Sequence, residues 1–83
     1  MNRSKPNFGW VLRSVTTGHY LEHTEAEVNS GRFPLFYGNE ELRNAHVFTT
    51  RKLARTEKDS WERVFKVMLN AQGKAQAIIS NDM

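Results

Sequence analysis

Not one of the 83 residues is cysteine. That absence removes disulfides, thiolate nucleophiles and sulfur-ligated zinc together. A secreted domain of this size usually relies on staples, so the composition is expected of a chain in a reducing cytoplasm. Long apolar runs are also missing, and none approaches the roughly 20 residues of a membrane span. Residues 1–7 are basic and polar with no apolar stretch behind them. They are expected to form a loose basic arm, not a signal peptide. Glycines number five and prolines two. Gly31, Gly38 and Gly73 stand alone as turn residues, so no glycine-rich loop is present to cradle a phosphate. There is no internal repeat, low-complexity tract or linker. Helix-turn-helix, zinc-finger and RNA-recognition signatures are absent, and no nucleophile lies in a catalytic motif. No enzyme activity, no metal and no cofactor are expected.

What is present suits one domain. A chain this short buries only roughly 60% of its unfolded surface, which leaves a thin core. It is better equipped to offer a face, a groove or an interface with a second copy than a deep dry pocket. Hydrophobic residues make up 39% and charged residues 25%, close to globular averages. Two Trp, two Tyr and five Phe argue against wholesale disorder. The net charge of +3 permits contact with nucleic acid without requiring it.

Residues 8–14 alternate, with Phe8, Trp10 and Leu12 on one side and Val11 and Arg13 on the other, which predicts a half-buried strand. Thr16, Thr17 and Gly18 carry turn chemistry, and residues 19–23 read as the returning strand of a hairpin. Residues 24–27 match a capping box, followed by Gly31 at a plausible helix stop. The apolar run 33–37 contains Pro34, which cannot donate to a ladder, so an edge strand or extended loop is expected. Asn39 can cap a short helix through Glu40, Glu41 and Leu42. His46, Val47 and Phe48 read as an extended connector or brief strand.

Residues 50–72 sort sharply at 100° per residue. Leu53, Ala54, Trp61, Val64, Phe65, Met68, Leu69 and Ala71 share one arc. Arg55, Thr56, Asp59, Glu62, Arg63, Lys66 and Asn70 share the other, and Val67 alone sits among polar residues. Thr49 or Thr50 can cap the start, and Gly73 suits the stop. This spacing predicts one long amphipathic helix, with Trp61 in the core. A competing reading makes 64–69 and 75–79 a hairpin turning at 70–73. In both, 74–80 forms a last strand with Ala75, Ala77 and Ile79 on one face. The fold class expected is α+β: a small antiparallel sheet, made of an N-terminal hairpin and a C-terminal strand, packed by that helix.

Two surfaces stand out as functional candidates. The segment holding Phe33, Phe36 and Tyr37 concentrates three aromatics between Gly31 and Gly38. Its surplus over what a thin core can cover would mark a partner-binding patch, although the same residues can simply close the core. Arg51, Arg55, Lys58 and Lys66 fall within a quadrant of the predicted helix and could contact phosphates. The interleaved Glu57, Asp59 and Glu62 are equally what a solvated helix face contains. His19 and His23 lie too far apart on a strand to share a metal. His46 beside Glu40 or Glu41 reads better as a surface histidine than as an acid–base pair.

Trp10-Val11-Leu12-Arg13 followed by Gly18-His19-Tyr20-Leu21, and Ala45-His46-Val47-Phe48-Thr49-Thr50 followed by Leu53-Ala54, resemble a pattern in short phage and bacterial accessory proteins. In these a W-V-hydrophobic-R…G-x-Y-L hairpin precedes an A-x-x-F-x-T helix start. The resemblance spans roughly 10–21 and 45–54 and its motifs are structural. It implies a non-catalytic factor that binds and blocks a host protein. Nucleic-acid binding through the basic helix face is the alternative expectation.

Overall fold

Strands β1 (Phe8–Ser14) and β4 (Glu62–Leu69) lie side by side at the centre of the molecule. They pair antiparallel along their whole length, from Phe8↔Met68 to Ser14↔Glu62. The computed structural model describes residues 7–22 and 38–82. Within them, β2 (Tyr20–Leu21), β3 (Gly38–Asn39) and β5 (Ala75–Asp82) complete a five-stranded sheet of order β3-β2-β1-β4-β5, antiparallel throughout. A 3-10 turn (Leu42–Asn44) and one helix, α1 (Arg51–Glu57), accompany it. The class is α+β.

Alternation along the two central strands gives the sheet two faces. Gly9, Val11 and Arg13 share the first with Arg63, Phe65, Val67 and Leu69. Phe8, Trp10, Leu12 and Ser14 share the second with Glu62, Val64, Lys66 and Met68. Both faces carry core. On the first, Val11, Tyr20, Val67 and Ala75 are buried with Ala45, and Leu42 and Val47 pack against them. On the second, Leu12 and Val64 are buried under Phe48 and Ala54 of α1.

One connector serves both layers. The His46 N–H donates to the Leu21 carbonyl at 2.8 Å, and Phe48 exchanges two backbone bonds with Trp10, at 2.8 and 3.0 Å. Residues 46–48 thus occupy the edge of β1 that two-residue β2 leaves open. The chain reaches one face before this crossing and the other after it. Val47 presses so closely on β1 that a Cβ at Gly9 would stand 2.5 Å from its Cγ1.

The long helix predicted over 50–72 is not formed. Thr50 caps α1, its hydroxyl accepting from the Leu53 N–H at 3.1 Å. The helix then ends at Glu57, because Lys58 is extended at φ −67°, ψ 133°. The Glu62 carboxylate accepts the Asp59 N–H at 2.7 Å, and the Glu62 N–H donates to the Asp59 carbonyl, closing the turn into β4. The hairpin reading holds instead. Trp61, Val64, Phe65 and Val67 favour extended backbone, whose pleat suits branched and aromatic side chains. Val67, misplaced on a helix, is fully buried at the centre of the first face. Trp61, expected in the core, is exposed at the turn, where its carbonyl accepts the Val15 N–H at 2.8 Å.

Asn70 organises the β4–β5 turn. Its Oδ1 accepts from Gln72 N–H at 2.8 Å and Lys74 N–H at 3.0 Å, and Gly73 supplies φ +81°. Gly73 is therefore a hairpin residue, not a helix stop. Two bulges then break β5: Ala75, Ala77, Ile78 and Ser80 pair with Leu69, Met68, Val67 and Lys66, leaving Gln76 and Ile79 as extra residues. The predicted single face of Ala75, Ala77 and Ile79 is lost, since Ala75 and Ala77 pair with residues on opposite faces.

At the other end, β1 and β2 meet in one register pair, Arg13↔Tyr20. The Ser14 hydroxyl accepts from Thr16 and Thr17 N–H at 3.1 and 3.2 Å, and Gly18 takes φ +78°. Among the described residues, the returning strand predicted over 19–23 amounts to Tyr20 and Leu21. The helix expected at Asn39 becomes a 3-10 turn starting after Glu41, with no side-chain cap.

Candidate functional surfaces

The aromatic candidates Phe33, Phe36 and Tyr37 lie outside the described residues. The four basic candidates lie within them, and they separate. Arg51 and Arg55 ride on α1, Lys58 follows its last residue, and Lys66 belongs to β4. The quadrant predicted for all four needed a helix running through 66, and the backbone turns away at 58.

On α1, buried Ala54 points to the sheet. At 100° per residue, Lys52 and Thr56 then form the outer crest, Arg51 and Arg55 one flank, and Leu53 and Glu57 the other. Arg51, Lys52, Arg55 and Thr56 line one shallow open depression. The Thr56 hydroxyl donates back to the Lys52 carbonyl at 2.9 Å. Lys52 was not singled out in the sequence. It enters because seven residues of helix leave the whole crest in solvent.

Helix α1 covers the second face of the sheet over Leu12 and Val64. It leaves the opposite end of that face open. There Phe8 and Met68 stand directly across the ladder, 44% and 42% exposed. Half-buried Lys66 shares the face and holds its ammonium 4.7 Å from the Phe8 ring centroid, a cation–π distance. Half-buried Trp10 is its cross-strand partner. The alternation of residues 8–12 already aligned Phe8 with Trp10. Met68 and Lys66 could join them only once β4 was known to be a strand, because the helical reading put them on opposite arcs.

A third surface is the outer edge of β5. Among the described residues no further strand pairs with it. Ile78 and Ile79 are 41% and 43% exposed along it.

Glu41 and His46, the acid–base pair considered above, have separate contacts. Glu41 pairs with Arg43 at 2.9 Å in solvent. His46 instead meets Phe48 edge-on, at 4.7 Å and 71°. His23 lies outside the described residues. Among those described, no three His, Asp or Glu stand where they could hold a metal ion, and no helix is long and apolar enough to cross a membrane. No family model matches the chain, and neither does any curated protein or solved structure.

Proposed function

We propose that this chain is a non-catalytic binding module of the phage-accessory kind, which docks on a host protein in the cytoplasm and blocks it. The observation that carries this reading is the open end of the second sheet face. Phe8 and Met68 form an apolar pair that nothing in the described residues covers, with Lys66 beside it. The cations of α1 stand on the same side of the sheet. An apolar floor beside basic groups fits a partner with an apolar anchor and an acidic rim. The run holding Phe33, Phe36 and Tyr37 adds to the apolar surface if it faces the same partner.

The nucleic-acid reading has an observation of its own. Phe8 and Trp10 lie two residues apart on one sheet face, beside Lys66 and on the side of Arg51 and Arg55. Aromatics interleaved with cations are what stacking on single strands requires.

Affinity capture from host lysate, with and without nuclease, separates the two. A stoichiometric protein partner that survives nuclease, and is lost with Phe8→Ser or Met68→Ser while the circular dichroism spectrum is unchanged, is the expected result. Retention of that partner by both variants overturns the docking surface. Captured material that disappears with nuclease, binds with a steep salt dependence and loses part of that slope in Arg55→Glu establishes nucleic acid instead.

A further inference from the structure

Two arginines stand directly opposite each other on the central strands. Arg13 of β1 pairs with Arg63 of β4 on the first face of the sheet, one step from the end of the ladder. Like charges directly across a ladder are an unfavourable choice for stability alone. A bound oxyanion turns the same arrangement favourable. Both arginines line one cavity of about 290 Å³, together with Ser14, Val15, Gly18 and Phe65. Among the described residues, its lining holds two guanidiniums and no carboxylate.

Arg13 is fixed before any ligand arrives. Its Nε donates to the Gly18 carbonyl at 2.9 Å, and its Cζ lies 5.3 Å from the Tyr20 ring centroid, a cation–π distance. The turn that presents the Gly18 carbonyl is itself held. The Ser14 hydroxyl accepts from the Thr16 and Thr17 N–H groups, and the Gly18 N–H donates to the Ser14 carbonyl at 3.0 Å. The Nε bond uses one of five guanidinium donors, which leaves the Nη groups of Arg13 for a ligand. Arg63 is exposed and engages another group as well. With five donors it can keep that contact and still turn N–H groups toward the cavity that it lines.

We infer that this cavity is a phosphate site, in which Arg13 and Arg63 clamp the dianionic head of a small phosphomonoester. Planar guanidinium forks match the oxygens of phosphate. Two cations suit a monoester, with a charge of about −1.5 to −2 near neutral pH, better than a singly charged diester or carboxylate. The volume lies at the lower limit of small-molecule pockets, roughly 300–1,000 Å³, so a head group with a short ester arm fits. Val15 and half-buried Phe65 supply an apolar wall for that arm. The site is on the first face and Phe8 and Met68 are on the second, so the inference stands independently of the partner proposed above.

Nuclear magnetic resonance of the full chain, titrated at constant ionic strength with methyl phosphate, dimethyl phosphate and acetate in turn, tests it. Methyl phosphate is expected to give saturable shifts at Arg13, Gly18 and Arg63. The other two should need about tenfold more ligand, because each carries one charge for two guanidiniums. Arg13→Gln and Arg63→Gln should each raise the methyl phosphate midpoint about tenfold. Arg63→Gln leaves the Arg13–Gly18 bond in place, so its effect is not a loss of the turn. Lys52→Gln, which removes the same charge from α1 on the other face, and Phe8→Ser leave the midpoint unchanged. The absence of saturable shifts with methyl phosphate overturns the inference. So does binding that survives Arg63→Gln, or that Lys52→Gln weakens equally. Dimethyl phosphate binding as tightly as methyl phosphate overturns the monoester and points to a nucleic-acid backbone. Acetate doing the same overturns it in favour of an acidic side chain.

Discussion

Gly9 shows how much one residue type can decide. It lies on β1 where Val47 crosses the sheet edge, and a Cβ there would meet Val47 Cγ1 at 2.5 Å and Leu69 Cδ2 at 3.4 Å. Valine is stiff about χ1 and cannot swing aside cheaply. Gly9→Ala is expected to destabilise the fold by about 1–3 kcal/mol, as overpacking does, read as a lower denaturation midpoint with an unchanged m-value. No loss would mean that residues 46–48 are free to move off the strand. The alternation of residues 8–12 was legible without a structure, but the need for glycine at position 9 was not. Val47 is distant in sequence, and only the crossing brings it there. Thr50 is the opposite case, since its capping role depends on three residues of local backbone and was readable directly.

The element that most changed its meaning is β4. Its polar residues are spread over both faces, which argues against an exposed amphipathic strand and imitates helical periodicity. The reason is that β4 is a central strand packed on both sides, so neither face is cleanly polar. Glu62 is buried at its start with its carboxylate on the Asp59 N–H, and Lys66 spreads its stem beside Phe8. The hairpin it opens depends on Asn70, whose Oδ1 holds two backbone N–H groups. Asn70→Ala is expected to cost about 1–2 kcal/mol, measured by urea denaturation. Asn70→Asp, which keeps the acceptor, should retain most of the stability.

At the scale of the molecule, stability is centred on the β1–β4 pair. Those strands contribute Val11, Leu12, Val64 and Val67, the largest fully buried side chains among the described residues. Helix α1 spans seven residues and buries Ala54 against the sheet. Native-state hydrogen exchange is expected to show the slowest amides on β1 and β4, with α1 opening well before global unfolding. Amides of α1 as slow as those of β4 would show instead that the helix and sheet form one cooperative unit.

Size, the absence of cysteine and of long apolar runs, the strand at 8–14, the turn at Thr16–Gly18 and the cap at Thr50 were settled by the sequence alone. Each depends on composition or on contacts within a few residues. The fate of residues 58–79 was decided by tertiary structure. A segment whose apolar residues satisfy two periods takes the one that finds cover on both its faces. Here α1 covers the second face over Leu12 and Val64 and the 42–47 segment covers the first, so the strand wins. The same choice separates Lys66 from Arg51 and Arg55, joins Met68 to Phe8, and places β5 at the edge. Which residues share a surface is a property of pairing between distant segments, which local spacing does not encode.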